Sequence, residues 1–184
     1  HAEDDIEGLM RDGEKGVGAA NPQPMPWELP YYGFEKVALS EDNREGPYAD
    51  YLREKGLDPW GDPHSFSYPQ HSTTRSVLEE KDHQTTWVAD RSLEFIEEAP
   101  EDKPFFLWTS FVHPHHPFNP PAPYDTMYDP DALPDPVWAE GEAEEWPELI
   151  RKKFEATEGG HEAIGMKDLA MADFRKVKAY YYGM

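Results

Sequence analysis

"KPFFLWTSFVHPHHPFNPP", residues 103–121, runs an apolar stretch straight into three histidines within four positions, with prolines on both sides. From Phe105 to Val112 nearly every residue is apolar, and prolines bound the run. Apolar continuity without alternation suits a strand buried on both faces, as in a parallel sheet covered by helices. Just upstream, "TTWVADRSLEFIEEA" sets Ala89, Leu93 and Ile96 at i, i+4 and i+7. That spacing predicts a helix, capped by Thr85 or Thr86, which "PEDKP" ends. Helix, tight turn and buried strand make half of an α/β unit, so the expected class is α/β. The chain has no second strand of equal quality, and the partner strands are expected outside it.

The flanking segments are weaker. Residues 1–30 lack a period and read as loop, and 31–40 read as a weak strand through Phe34, Val37 and Leu39. A short helix is expected near 48–55, with Gly56 as its C-terminal cap and Pro59 beyond. Residues 61–73 read as loop. A further helix over 140–155 would set Trp146, Leu149, Ile150 and Phe154 on one side, with Pro147 limiting where it starts and a break at 157–160. Phe174, Val177, Tyr181 and Met184 recur at helical spacing near the end. That helix stops in mid-pattern and the sequence opens on His1, so an internal piece of a larger domain is expected.

Composition narrows the function classes. Hydrophobic content of 38% and aromatic content of 14% argue for a folded core, and 19 prolines imply stiff, irregular connections. With 17 basic against 38 acidic residues the formal charge is −21, which disfavours nucleic acid and anionic membranes as partners. The acid-rich "HAEDDIEG" and "AEGEAEEWPE" read as solvated faces or a flexible insertion. There is no cysteine, and no apolar run approaches the length that spans a bilayer.

Ligands of open α/β sheets gather at the carboxyl ends of strands, where "HPHHPFNPP" sits. Pro114 and Pro117 fix their own φ and bias His113 and His116 towards extended backbone, so the loop is stiff before any ligand arrives. Extended, it would point His113 and His115 to one side and His116 to the other. Surface or loop-capping histidines, a zinc site, a pH switch and an anion-binding catalytic histidine all compete. Zinc would need a third ligand, and His64, His71, His83 and His161 show no zinc-motif spacing. Placement and stiffness favour the anion-binding histidine, because imidazole can bond an anionic oxygen and hand a proton to a departing alkoxide.

The stretch "DHQTTWVADRSLEFIEEAPEDKPFFLWTSFVHPHHPFNPPAPYDTMYDP" resembles the sulfatase family of the alkaline-phosphatase-like superfamily. A helix leading to a "kPFFl" strand, a "P-H-x-P" loop, a "pP-x-p-y" segment and a "myDp" turn follow in the family's order. "YYGFEKVALSEDN", "DYLREKGLDP" and "VKAYYYGM" add weaker matches. The resemblance implies part of an α/β/α sandwich with a mostly parallel central sheet. It divides the chain into a loop-rich 1–30, a best-matching 31–136, an acidic variable insertion at 137–165 and the start of a helix at 166–184.

Pro114-His115-His116-Pro117 matches "P-H-x-P", so the resemblance makes His115 the sulfate-binding histidine and the proposed proton donor to the leaving alcohol. His116 falls on the variable position and His113 precedes the motif, which leaves both as structural residues. The family's formylglycine arises from a Cys/Ser-x-Pro-x-Arg motif that is missing here, as are the paired carboxylates that bind a divalent cation, usually Ca²⁺. The early Asp4-Asp5 pair precedes no suitable strand, and it reads as surface acid. The resemblance therefore implies that nucleophile and cation lie outside this chain, with a sulfated small molecule or carbohydrate as substrate. A phosphonate or phosphate ester hydrolase of the same superfamily is the close alternative. An acidic, aromatic-rich interaction module is the distant one.

Overall fold

The computed structural model describes residues 30–41, 44, 46–62, 71–139, 141–155, 166–167 and 169–184. The expectations for 1–29, for the Asp4-Asp5 pair, for His1, His64 and His161, for 63–70 and for the break at 157–160 lie outside the described residues.

Helix α1 spans Pro47–Glu54, and Pro47 starts it because its fixed φ suits the first turn and its missing N–H is not needed there. Its end is a Schellman arrangement. Gly56 takes φ 72°, its N–H donates to Arg53 O at 2.9 Å, and Leu57 N–H donates to Leu52 O at 2.9 Å. The glycine cap expected from the sequence is therefore present. The helix buries Tyr48, Ala49 and Leu52, and Tyr48 and Leu52 form a small core with Leu78 and Trp87. Each buried side chain of this size stabilises the fold by roughly 1.5–3 kcal/mol. The Tyr48 hydroxyl also donates to Asp82 O at 2.8 Å, which satisfies the one polar atom that this ring brings inside.

Helix α2 spans Gln84–Glu98, and its cap differs from the expectation. His83 Nδ1, not a threonine hydroxyl, accepts the Thr85 N–H at 3.3 Å. His83 has extended backbone and a ring nitrogen at the reach of a side-chain oxygen, so it meets the geometric need of an N-cap. The expected apolar face is also uncovered, since Leu93 is 57% and Ile96 47% exposed. Trp87 and Gln84 are the buried residues of α2.

The run 105–112 is extended and lies along α2. The Phe105 ring meets Phe95 edge-on at 5.7 Å, and Thr109 Oγ1 bonds Ser92 Oγ at 2.9 Å. It is not buried as expected, for Phe106 is 72% and Trp108 71% exposed. Extended backbone becomes a buried strand only between neighbours, and no described segment pairs with it. The half-unit of helix, turn and extended segment is present, while the parallel sheet of the expected sandwich is absent among the described residues. Residues 31–40 likewise form no strand. Tyr31 and Phe34 exchange hydrogen bonds of 3.0 and 2.8 Å around a tight turn, with Tyr32 at φ 46° and Gly33 at φ 90°.

Beyond the histidines, helices α3 (Glu142–Glu145) and α4 (Glu148–Glu155) replace the single helix expected over 140–155. Trp146 takes ψ 145° because the residue before a proline is pushed out of helical backbone. Trp146 and Phe154 meet at 5.2 Å and Trp138 joins them, whereas Leu149 and Ile150 stay exposed. Helix α5 spans Met171–Gly183, with the Asp173 carboxylate accepting the Ala170 N–H at 2.9 Å at its start. It buries Ala179 and Gly183 rather than the expected Tyr181, which is 47% exposed. Its partners are the turns Tyr124–Thr126 and Pro130–Ala132 that follow the histidine loop.

Candidate functional site

The chain leaving the histidines is anchored on several sides. Thr73 and Phe118 form a parallel bridge, supported by Thr74 N–H to Phe118 O at 3.1 Å and Phe118 N–H to Ser72 O at 2.9 Å. Ser76 N–H donates to Pro120 O at 3.2 Å. Prolines cannot donate to a ladder but can accept from one, so a proline-rich segment can still be held in this way. Further on, Arg75 Nε pairs with the buried Asp125 at 2.6 Å, and the Tyr124 hydroxyl donates to Glu80 at 2.7 Å.

The upstream end of the loop is held from inside. His113 is half-buried, with Nδ1 3.3 Å from Thr85 Oγ1 and Nε2 3.2 Å from Asn119 Oδ1. Asn119 is 1% exposed and donates through Nδ2 to Asp62 Oδ2 at 2.9 Å. Asp62, also 1% exposed, takes a second charge-assisted bond from Arg44 Nη2 at 2.8 Å and the Val77 N–H at 2.6 Å. Arg44 adds a bond to Asp62 O at 2.9 Å. Burial pushes the Asp62 carboxyl upward, with the Arg44 charge and the Val77 and Ser76 bonds pulling it back. The ring of His83 lies 4.7 Å from that of His113. Its burial, followed by the neighbouring His113 and Arg44, pushes His83 down to about 3, so the α2 cap is a neutral imidazole at ordinary pH.

This corrects the assignment of His113 to a surface or simple loop-capping role. It also corrects the side-to-side alternation expected of an extended loop. His115 N–H donates to Val112 O at 2.9 Å, which makes 112–115 a turn. The peptide bonds His113–Pro114 and His116–Pro117 are cis. The rings of His115 and His116 lie together, 4.1 Å apart at 31°, while His113 turns inward to Thr85 and Asn119.

His115 is exposed, and its Nδ1 lies 2.9 Å from His116 O. A carbonyl oxygen can only accept, so Nδ1 carries a proton and Nε2 is the second, exchangeable nitrogen. A ring held in this way accepts a proton at Nε2 to become an imidazolium, which can bond an anion and later release that proton.

Among the described residues no group of three or more His, Asp or Glu side chains could hold a metal ion. The described residues therefore do not assemble a divalent-cation site, and the sequence holds no cysteine. His71 and His83 do not converge with His115 on a shared ligand position. Arg44, Asp62, Asn119 and the inward role of His113 had no local sequence signal, because they meet across separations of 18 and 57 residues.

A sequence profile of the sulfatase family, described as Sulfatase, matches residues 31–175. The chain belongs to the sulfatase family. Sulfatases imply an alkaline-phosphatase-like α/β fold, of which the described residues hold the helix, turn and extended segment before the histidines. An arylsulfatase of Clostridium perfringens (strain 13 / Type A) is 37% identical over 105 residues, covering 57% of this chain and 20% of that protein. PehA of Trinickia caryophylli, a multifunctional alkaline phosphatase superfamily protein, is 29% identical over 166 residues. That match covers 83% of this chain and 32% of PehA. The chain thus spans about a fifth to a third of the length of these curated relatives.

Proposed function

We propose that the parent protein hydrolyses sulfate esters and that His115 binds the sulfate and protonates the leaving alcohol. What supports this reading is the exposed His115 ring, fixed through Nδ1 to the His116 carbonyl at the end of a braced loop. As the imidazolium, His115 presents Nε2–H to an ester oxygen. The sulfuryl group would pass to an attacking nucleophile as the S–O bond to the alcohol breaks, its electron pair leaves with the oxygen, and the Nε2 proton passes to that oxygen. Alcohol and neutral His115 result. The attacking group, a formylglycine, and a divalent cation, Ca²⁺, are placed outside this chain, which supplies one participant in the constellation. The 184 residues alone are therefore expected to turn over no sulfate ester.

The test is His115→Ala in the full-length protein. General acid catalysis contributes on the order of 10²- to 10⁴-fold, so turnover should fall within that range while folding is kept. Near-normal activity would remove the assigned role. A phosphonate or phosphate ester substrate is the second reading, because a protein named for the alkaline phosphatase superfamily matches 83% of this chain. Parallel rates on an aryl sulfate, a phosphonate monoester and a phosphate diester would separate the two.

A further inference from the structure

We infer that His113 is the positioning residue of this loop, holding His115 in place through a directed chain of hydrogen bonds that begins at Arg44. The inference rests on the sulfatase reading of His115. The direction of the chain follows from which groups can donate. Arg44 has donors only, and its Nη2 reaches Asp62 Oδ2 at 2.8 Å. Asp62 accepts from that guanidinium through Oδ2 and from the Val77 N–H through Oδ1, and a carboxylate so placed only accepts, so the Asn119 atom at 2.9 Å from Oδ2 must be the NH₂ group. Rotating that amide by half a turn would set two oxygens face to face in a buried place. Asn119 Oδ1 therefore faces His113, and His113 Nε2 must carry the proton that bridges their 3.2 Å. In the neutral ring Nδ1 is then an acceptor, and the Thr85 hydroxyl at 3.3 Å can fill it.

The tautomer of His113 is thus set by an arginine far from it in sequence. One ring nitrogen faces the first turn of α2 and the other faces the segment just after the loop. Pro114 alone separates this tethered ring from His115, and the turn from Val112 O to His115 N closes around it. His115 is therefore carried between His113 on one side and Pro117, which is buried, on the other. A group whose working atom must meet a leaving oxygen tolerates little displacement, since about 1 Å of misplacement can cost 10²-fold.

The test uses the full-length protein with two aryl or alkyl sulfates, one releasing an activated phenol and one a poor leaving alcohol. Loss of a proton donor harms the poor leaving group more, so His115→Ala should steepen the dependence of kcat on leaving group. His113→Ala should steepen it in the same sense, with a loss on the order of 10- to 100-fold on the poor substrate. His113→Gln, which can return a donor to Asn119, should restore most of that loss. His113→Asn, whose shorter side chain can offer Thr85 an acceptor but falls short of Asn119, should not. If His113→Ala fails to fold, the Gln and Asn variants carry the comparison between them. Equal losses on both substrates, or equal behaviour of Gln and Asn, would overturn the positioning role while leaving His115 intact. A His115→Ala variant with unchanged leaving-group dependence would instead remove the sulfatase reading of that residue.

Discussion

The ring of His83 lies 4.7 Å from the ring of His113, so the residue that caps α2 and the first histidine of the loop share one interior contact. His83 is 3% exposed, and burial holds it as a neutral ring down to about pH 3. The start of the helix and the start of the loop are therefore coupled through a ring that stays neutral at ordinary pH.

Stability should fall on acidification because of this ring. Its folded pKa, about 3, lies below the ordinary value of 6.5. Between those values the unfolded chain binds the extra proton, so stability is full above about pH 6.5 and declines as pH drops towards 3. The slope can approach about 1.4 kcal/mol per pH unit inside that window. Denaturant midpoints at pH 7, 6 and 5 should shift less in His83→Asn, which keeps an acceptor for the Thr85 N–H but cannot titrate. Parallel pH profiles for the two proteins would show that His83 is not the titrating group.

The buried pair of Arg44 and Asp62 should respond asymmetrically to substitution. Asp62→Ala removes the balancing carboxylate from a guanidinium that is 5% exposed, and it also removes the acceptor of Asn119 and of the Val77 N–H. Breaking one side of such a pair costs about 3–5 kcal/mol, whereas replacing both charges with apolar groups costs far less. Arg44→Met with Asp62→Leu should therefore be more stable than Asp62→Ala alone in equilibrium unfolding. The reverse order would mean that the charges, and not their desolvation, dominate this interior.

Local chemistry was legible where a residue acts on its own neighbours. Gly56 closes α1 because φ 72° is cheap only without a Cβ, and the sequence shows the glycine at the end of the helical pattern. Pro147 breaks the segment after α3 for an equally local reason. The cap of α2 is not legible in this way, because threonine is the usual capping residue and yet His83 holds the extended backbone and the ring nitrogen that meet the Thr85 N–H. Burial was not legible from pattern alone. Phe106 and Trp108 have the composition of a buried strand, but their exposure depends on which segments stand beside them. The same limit hid the inner role of His113, whose partners at Thr85, Asn119 and Asp62 are brought together only by the fold.

The extended run 105–112 should be covered in the full-length protein. Phe105, Phe106, Trp108 and Phe111 are 45–72% exposed here, and so many large apolar side chains left open within one short run mark an interface. Sulfatase membership implies an α/β fold, in which such a run is a sheet strand. Amide hydrogen exchange across 105–112 should be slow in the full-length protein and fast in the isolated 184 residues. Equally fast exchange in both would show that no strand pairs with it.

Gly183 offers a contest between helix propensity and packing. Alanine is favoured over glycine inside a helix by about 0.8–1 kcal/mol, so Gly183→Ala would stabilise α5 if the position were open. It is not open, for a Cβ there would sit 2.4 Å from Tyr124 O and 3.1 Å from Tyr124 C. Those are backbone atoms of the turn Tyr124–Thr126, itself held by Tyr124 N–H to Pro121 O at 2.9 Å. Neither side can yield by rotating a side chain, so α5 or the turn must shift. Overpacking of this kind costs typically about 1–3 kcal/mol, which outweighs the propensity gain. The variant should be destabilised on balance, and the movement should reach the anchored segment 118–121 that follows the histidines. Thermal unfolding of Gly183→Ala in the full-length protein measures the sign directly. A raised midpoint would mean that α5 does not press against the turn after the histidine loop.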